Sequence, residues 1–325
     1  MQMTRRTALL TTGALFATGH SFSAFAADYP DHPVKVIVPF GAGGPADVFT
    51  RQIAQFLQDQ LKQSFVVEDR PGAGSIIGTD QVAKSPPDGY TLLSMSNTHT
   101  VNESLVPQKP FELMKDFLPV APLNYSDLVM VVHPSVPAKD LKEFIALAKS
   151  KPGQLNYASS GVGTPYHMAG ELFKSMTGTD IVHVPHKASG EARNSVLGGH
   201  VQMMFDAVPT MAENVQAGQV RALGTSGATR SKIMPNLPTI AEAGVPGYES
   251  TIWLGLMAPA NTPKAVIDKL NTEINTLMAK PDLIAAWDKL GAVPMKMTPA
   301  QFDDFLRKDI EKWAKVVKTA GIKPI

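Results

Sequence analysis

The chain has 325 residues, 44% of them hydrophobic, and it contains no cysteine. Its 30 basic and 29 acidic residues nearly cancel, which excludes a strongly charged surface for nucleic acid or for an anionic membrane. The lack of cysteine excludes disulfides, thiol catalysis and cysteine-ligated metal centres. This length and apolar content are typical of two domains, each with its own core.

The first 26 residues have the pattern of an export signal. Arg5 and Arg6 precede an uncharged apolar segment that ends in Ala24-Phe25-Ala26, a small-x-small cleavage site. We therefore expect residues 1–26 to be removed after export by the general secretory or the twin-arginine route. No later apolar segment has the roughly 20 residues that span a bilayer, so the mature protein is expected in the periplasm.

Short β-branched segments alternate with amphipathic helical segments after this signal. Residues 34–38 and 65–67 predict strands, with a helix between them that carries apolar residues on one face. The strand-helix-strand order continues through residues 90–95 and predicts a parallel sheet with helices on both faces, the α/β class. A second cycle predicts strands at 128–132, 155–158, 181–184, 201–205 and 222–225, and helices at 141–148 and 166–176, the last ended by Gly178.

The C-terminal part of the chain contains two further helix starts, at Thr262-Pro263 and at Thr298-Pro299. The last helix has an apolar stripe from Phe302 to Val317 that must cover a surface, and the first domain would supply it. The chain would then cross between the domains near Met130 and Trp253, which predicts a two-domain clamshell with a double-stranded hinge. The predicted domains are residues 27–129 plus 251–325, and residues 130–250.

A glycine-rich loop joins the first predicted strand to the first helix. It contains Ala42, Gly43 and Gly44 and lies at the carboxyl end of the strand, where parallel sheets bind ligands. Glycines let the backbone approach a ligand closely, and the following helix start offers unpaired N–H groups. The loop therefore predicts an anion cradle, although a tight turn without a ligand has the same pattern.

The second predicted domain has a comparable loop, residues 159–167, again between a strand and a helix. Ser159, Ser160 and Thr164 add hydroxyl donors to the backbone amides. Two facing anion cradles predict one shared cleft that closes on an organic carboxylate.

Other polar residues at strand ends are expected to complete the pocket, or only to cap local structure. Asn97 and Asp206 are the main candidates. His183 and His186 lie on an extended segment broken by Pro185, with no acidic ligand nearby in sequence, so no metal and no cofactor are expected.

A dinucleotide-binding enzyme is the competing interpretation. The segment from Gly41 to Ala46 satisfies G-x-G-x-x-A, and Glu68 ends the second strand where a ribose-binding acid belongs. The export signal, Pro39 before the turn, and the second loop all weigh against a dehydrogenase. The sequence also contains neither a G-x-S-x-G nor an H-E-x-x-H motif, so catalysis is not indicated.

The motifs resemble those of the Bug receptors of tripartite tricarboxylate transporters, which are extracytoplasmic solute-binding proteins. The resemblance runs almost from end to end. It rests on Val38-Pro39-Phe40 with Ala42-Gly43-Gly44 and Asp47, Glu68 to Gly74, Pro87 to Leu92, Val132 to Pro137, Lys151 to Ser159, Val182 to Pro185, Met204 to Asp206, and Leu237 to Gly244.

This resemblance implies a periplasmic-binding-protein-like fold and a monomer that delivers its ligand to membrane permease subunits. It implies that both loops hold a carboxylate with the help of ordered water, that Asp47 braces the first loop, and that Asn97, His167 and Asp206 lie at or beside the pocket. The expected ligand-binding residues are Phe40, Ala42, Gly43, Gly44, Asp47, Asn97, Ser160, Gly161, Gly163, Thr164, Tyr166, His167, His186 and Asp206.

The chain departs from the family pattern at four positions: Gly41, Pro45, Tyr166 and His186. Tyr166 is bulky where small residues are frequent, and His186 stands where Tyr is common. We expect these two residues to recognise the distal part of a longer or aromatic dicarboxylate. A role as the ligand sensor of a membrane signalling protein would use the same cleft and stays open.

Overall fold

The computed structural model describes residues 29–324, and the expected export signal lies outside them. Within residues 29–324 there are ten strands: β1 (Val34–Val38), β2 (Phe65–Asp69), β3 (Thr91–Ser96), β4 (Phe117–Val132), β5 (Leu155–Ser159), β6 (Ile181–Pro185), β7 (Met203–Ala207), β8 (Arg221–Thr225), β9 (Thr251–Pro259) and β10 (Ala292–Pro294). The same residues form eleven α-helices: α1 (Pro45–Leu61), α2 (Ile76–Ala83), α3 (Asn97–Leu105), α4 (Leu113–Asp116), α5 (Leu141–Ser150), α6 (Pro165–Thr177), α7 (Ser189–Leu197), α8 (Val208–Gln216), α9 (Lys264–Leu277), α10 (Pro281–Lys289) and α11 (Pro299–Thr319). None of the helices in this part of the chain is both long and apolar enough to span a membrane.

Each half contains three strands that pair in parallel, as the sequence predicts. In the first half β1 pairs in parallel with β2 and β3, and in the second β5 pairs in parallel with β6 and β7. Both halves also contain antiparallel pairs, because β9 joins β3 to β4 and β4 then joins β7 and β8. The sheets are therefore mixed rather than wholly parallel.

Strand β4 belongs to both halves. Asp127 is its last residue paired with β9, and Leu128 is its first residue paired with β7. The chain returns beside this point, where the Ser250 N–H donates to the Ser226 carbonyl and the Ser226 N–H donates to the Leu128 carbonyl. Two adjacent crossings thus form the predicted double-stranded hinge, a few residues from the positions that the sequence suggested.

The first eleven residues of β4 were not predicted as a strand. Pro119 and Pro122 fall inside them, and proline cannot donate to a sheet ladder. The structure accommodates both prolines because the pairing with β9 shifts register between Pro119 and Ala121 and between Pro122 and Asn124.

Helix α11 covers the first half and also reaches the second. Phe302 and Leu306 pack on the sheet with Trp253. Further along, Trp313, Val316 and Val317 form a buried cluster with Val101 and Leu105 of α3 and Met168 of α6. The predicted apolar stripe therefore also fills the space between the two halves.

The predicted helix ends are mostly confirmed. Gly178 ends α6 in the left-handed conformation, and Thr298 caps α11 in a capping box with Gln301. The predicted cap at Thr262 is wrong, since α9 begins one residue later than expected and the Thr262 hydroxyl donates to the Pro259 carbonyl instead.

Candidate functional site

The first loop ends in a helix start whose N–H groups are free. Pro45 is the first residue of α1 and has no N–H, and the N–H groups of Ala46 and Asp47 have no hydrogen-bond partner among the described residues. Gly43 has a φ of +76°, which favours glycine, and its N–H donates to Asp47 Oδ2 at 2.8 Å. Asp47 is buried, and its hydrogen bond to the Gly43 N–H fixes the backbone of the loop.

The negative charge of Asp47 is compensated by Arg51. The Arg51 Nε donates to Asp47, and the Arg51 Nη2 lies 2.8 Å from Asp69 Oδ2. Arg51 thus lies between two carboxylates, and burial raises the pKa of Asp69, with the Asp47 charge adding to the effect. An anion at the loop therefore meets a carboxylate whose charge is already paired.

The second loop ends in a helix start of the same kind. Pro165 is the first residue of α6, and the N–H groups of Tyr166 and His167 are without a hydrogen-bond partner in residues 29–324. Gly163 has a φ of +77°, and its N–H donates to His167 Nδ1 at 3.1 Å. The Thr164 hydroxyl donates to the Gly161 carbonyl at 2.7 Å and therefore shapes the loop rather than pointing a free donor outward.

A stack of rings lies beneath the second loop. The ring of His167 lies 4.1 Å from that of His183, whose Nε2 hydrogen-bonds to the Ser159 hydroxyl at 2.6 Å. Tyr157 stacks on His183 and donates to Glu171 at 2.6 Å. Burial lowers the pKa of His167 to about 4 and that of His183 to about 3, with nearby positive charge adding to both shifts. His167 is therefore neutral at pH 7, and its Nδ1 is free to accept the N–H of Gly163.

Helix α3 brings the two loops to one place. Phe40, which precedes the first loop, packs edge-on against His99 with 5.8 Å between the ring centroids. A Cβ on Gly163 would lie 3.1 Å from Leu105 Cδ1 and 3.4 Å from Asn102 Oδ1. His99 and Asn102 are three residues apart, about 4.5 Å along the helix axis. The loops thus approach neighbouring turns of one helix, which supports a shared cleft.

The other predicted site residues lie in α3, within the two loops or beside them. Asn97 is the first residue of α3, and its Nδ2 donates to the Thr251 carbonyl at 3.2 Å, which ties it to β9. Its Oδ1 is buried and has no partner among the described residues. Ala42 and Gly44 lie within the first loop, and Ser160 begins the second. The His186 N–H donates to the Ser159 carbonyl at 2.9 Å, which places His186 beside the second loop.

Asp206 lies in an ion pair that the sequence analysis missed. Its side chain is completely buried, and Arg193 Nε donates to its Oδ2 at 2.7 Å. Burial raises the pKa of Asp206 while the Arg193 charge opposes the rise. Arg193 is on α7, the helix that precedes β7. A basic residue in this helix, followed by an aspartate at the end of a buried strand, was the sequence signal that could have predicted the ion pair. Asn102 was missed too, because nothing in its local pattern marks its position beside Gly163.

Glu68 does not have the surroundings of a ribose-binding acid. It forms ion pairs with Lys35 at 3.1 Å and with Arg70 at 3.0 Å. These two partners, and chiefly Lys35, lower its pKa. Its position at the end of β2 is thus explained by charge pairing on the surface of the sheet.

The chain is similar to one family model and to several known proteins. The sequence model described as the tripartite tricarboxylate transporter family receptor matches residues 49–322. Protein BugT of Bordetella pertussis is 38% identical over 99% of both chains. The structure of R. palustris Rpa4515 with adipate superposes with a TM-score of 0.86 at 34% identity, covering 92% of this chain and 100% of the other. MatC from Rhodopseudomonas palustris with bound malate gives a TM-score of 0.80 at 30% identity, covering 89% and 100%.

Proposed function

The chain belongs to the tripartite tricarboxylate transporter receptor family, and we propose that it captures a small organic dicarboxylate in the periplasm. Members of this family are solute-binding receptors rather than enzymes. The chain would deliver this ligand to the membrane permease subunits of a tripartite transporter. The export pattern of residues 1–26 supports the location.

The pair of matched loops carries this proposal. Each loop places two free N–H groups at a helix start, where the helix dipole favours an anion. Each also holds a glycine at positive φ by a hydrogen bond to a side chain four residues later. A single glycine-rich turn is common, but two such turns that approach the same helix suit a carboxylate held from both sides.

Binding would close the two halves around the hinge. We assign residues 27–129 plus 251–325 to one domain and residues 130–250 to the other, since β4 changes partners at Asp127 and Leu128. Closure would exclude water from the carboxylate, and hydrogen bonds to a charged group are strengthened in such surroundings.

The ligand class follows from the relatives and from the second loop. Adipate and malate, the molecules in the two similar structures, are both dicarboxylates. Tyr166 and His186 flank the second loop. The Tyr166 ring is buried in the apolar cluster of the second half, and the His186 Nδ1 lies 3.1 Å from the Val184 carbonyl. In the proposal their rings would form the part of the pocket that holds the distal end of the ligand. An aromatic dicarboxylate therefore remains within the proposed class.

A thermal-shift screen of residues 27–325 tests this function. The compounds are aliphatic and aromatic dicarboxylates, tricarboxylates, amino acids and nicotinamide dinucleotides. A ligand at about 100 times its Kd adds roughly 2.7 kcal/mol of stability, a shift of several degrees. Stabilisation by dicarboxylates is the expected result, and stabilisation only by a nicotinamide dinucleotide would refute the proposal. If Tyr166→Ala and His186→Ala kept the wild-type affinity for the best ligand, the distal role of these residues would be wrong.

A further inference from the structure

The ion pair of Arg193 and Asp206 lies at the carboxyl edge of the second sheet. Strands β5 and β7 are parallel and pair Ala158 with Met204, so Asp206 is level with Ser160, where the second loop begins. The free N–H groups of α6 follow this loop, and Tyr166 supplies one of them. Burial raises the pKa of the Tyr166 hydroxyl, and the charges of Asp206 and Arg193 act on that pKa in opposite directions. The pair is therefore next to the second anion cradle.

Arg193 is held in place through only one of its three guanidinium nitrogens. Its Nε donates to Asp206, while Nη1 and Nη2 have no hydrogen bond to any residue between 29 and 324. The Arg193 side chain is 22% exposed, whereas that of Asp206 is completely buried. Asp206 Oδ1 also accepts the Ala207 N–H at 2.8 Å, so the carboxylate is fixed to the backbone. A fixed carboxylate orients the guanidinium and leaves its outer edge with unused donors.

That outer edge has the chemistry of a carboxylate receptor. The Nη1 and Nη2 groups of a guanidinium present parallel N–H donors that match the two oxygens of a carboxylate. Hydrogen bonds between two charged groups are about twice as strong as neutral ones. A side chain that is already oriented also loses little entropy when the ligand arrives.

We propose that Arg193 binds the second carboxylate of a dicarboxylate whose first carboxylate is held by the two loops. This assignment rests on the proposed function, because it requires the loops to hold the first carboxylate. It adds a charged anchor to the distal end, next to Tyr166. It also gives Asp206 a defined task, since Asp206 orients Arg193 without touching the ligand.

The test compares α,ω-dicarboxylates of four to eight carbons with monocarboxylates of the same length, such as adipate with hexanoate. Calorimetric titration at pH 7 measures the preference for the dicarboxylate. The wild type is expected to prefer it by at least about tenfold, as a charge-assisted hydrogen bond implies. The variant D206N keeps Arg193 but replaces the carboxylate that orients it with a neutral amide, so its preference is expected to be smaller than that of the wild type.

The double variant R193Q/D206N is expected to lose the preference while its affinity for the monocarboxylate stays within about threefold of wild type. The double change avoids leaving Asp206 buried without a partner. A preference that survives in R193Q/D206N would overturn the role of Arg193, and a preference unchanged in D206N would overturn the orienting role of Asp206. Equal wild-type affinity for both series would also overturn it and leave the proposed function intact, whereas no binding of either series would overturn both.

Discussion

Gly43 and Gly163 have nearly the same backbone conformation, with φ of +76° and +77°, and each donates its N–H to a side chain four residues later. The acceptor is a carboxylate in one loop and a neutral imidazole in the other. Each acceptor belongs to the first turn of the helix that follows, so the brace and the anion cradle are built from the same few residues.

Replacement of Gly43 by alanine is expected to weaken carboxylate binding by about tenfold or more. A Cβ at Gly43 has open space, so the effect comes from the positive φ, which costs an L-residue about 1–2 kcal/mol and would turn the loop away from its bound shape. Gly218→Ala is the matched control, with φ of +69° and equally open space in a turn after α8. Both variants are expected to lose similar stability in urea unfolding, and equal affinities in both would contradict this role of the loop.

Gly163→Ala is expected to reduce affinity more than Gly43→Ala does. Alanine at this position would have to adopt the same positive φ, and its Cβ would also lie 3.1 Å from Leu105 Cδ1. This steric conflict would push the second loop away from α3. The variant G163A/L105A removes this steric conflict and is expected to recover part of the binding. Titration of both variants with the same dicarboxylate checks this, and an affinity unchanged in G163A would refute the contact as a determinant of binding.

Asp47→Ala is expected to weaken binding by about tenfold, since the Gly43 N–H would lose its acceptor. Asp303→Ala is the control, because Asp303 forms an ion pair with Arg307 four residues later, as Asp47 does with Arg51, but on the surface of α11. Only the change at Asp47 is expected to alter the Kd measured by calorimetry. An identical Kd for both variants would show that the brace does not matter.

The histidine brace predicts a dependence of stability on pH. Because the pKa of His167 falls from 6.5 to about 4 on folding, the unfolded chain binds more protons between these values. The contribution of neutral His167 to the free energy of unfolding is complete above pH 6.5 and is lost as the pH falls towards 4. This loss is at most about 3 kcal/mol. His99 and His183 act in the same direction, so the comparison of variants isolates His167.

His167→Asn keeps an acceptor for the Gly163 N–H but does not titrate. Its free energy of unfolding, measured in urea at pH 7 and pH 4.5, is expected to fall less than that of the wild type. His200→Asn, a change at an exposed histidine, is the control and is expected to follow the wild type. Identical pH dependence in H167N and the wild type would contradict this assignment.

Much of the fold could be predicted because its signals are local. β-branched strands such as β1, the glycine that ends α6 and the Thr298 cap each act within a few residues. The early part of β4 could not, since its prolines are tolerated only through register shifts against β9, a strand more than a hundred residues later.

The residues of the candidate site also fall into those that local sequence could predict and those that it could not. The loops were visible in the sequence because glycine and proline encode their turns directly, and Asp47 was placed from the family resemblance. The partnership of Arg193 with Asp206 depends on how α7 packs against β7, and the position of Gly163 beside Asn102 depends on how the two halves meet. Neither relationship has a local sequence pattern.

The most direct measurement follows the backbone amides of the two helix starts in a TROSY spectrum of deuterated, ¹⁵N-labelled protein. The protein is titrated with the dicarboxylate that gives the largest thermal shift. We expect large, saturable shifts for Ala46 and Asp47 and for Tyr166 and His167 at one common Kd, because both helix starts bind one carboxylate. Shifts confined to one loop, or shifts in neither, would contradict the claim that the two loops hold the ligand together.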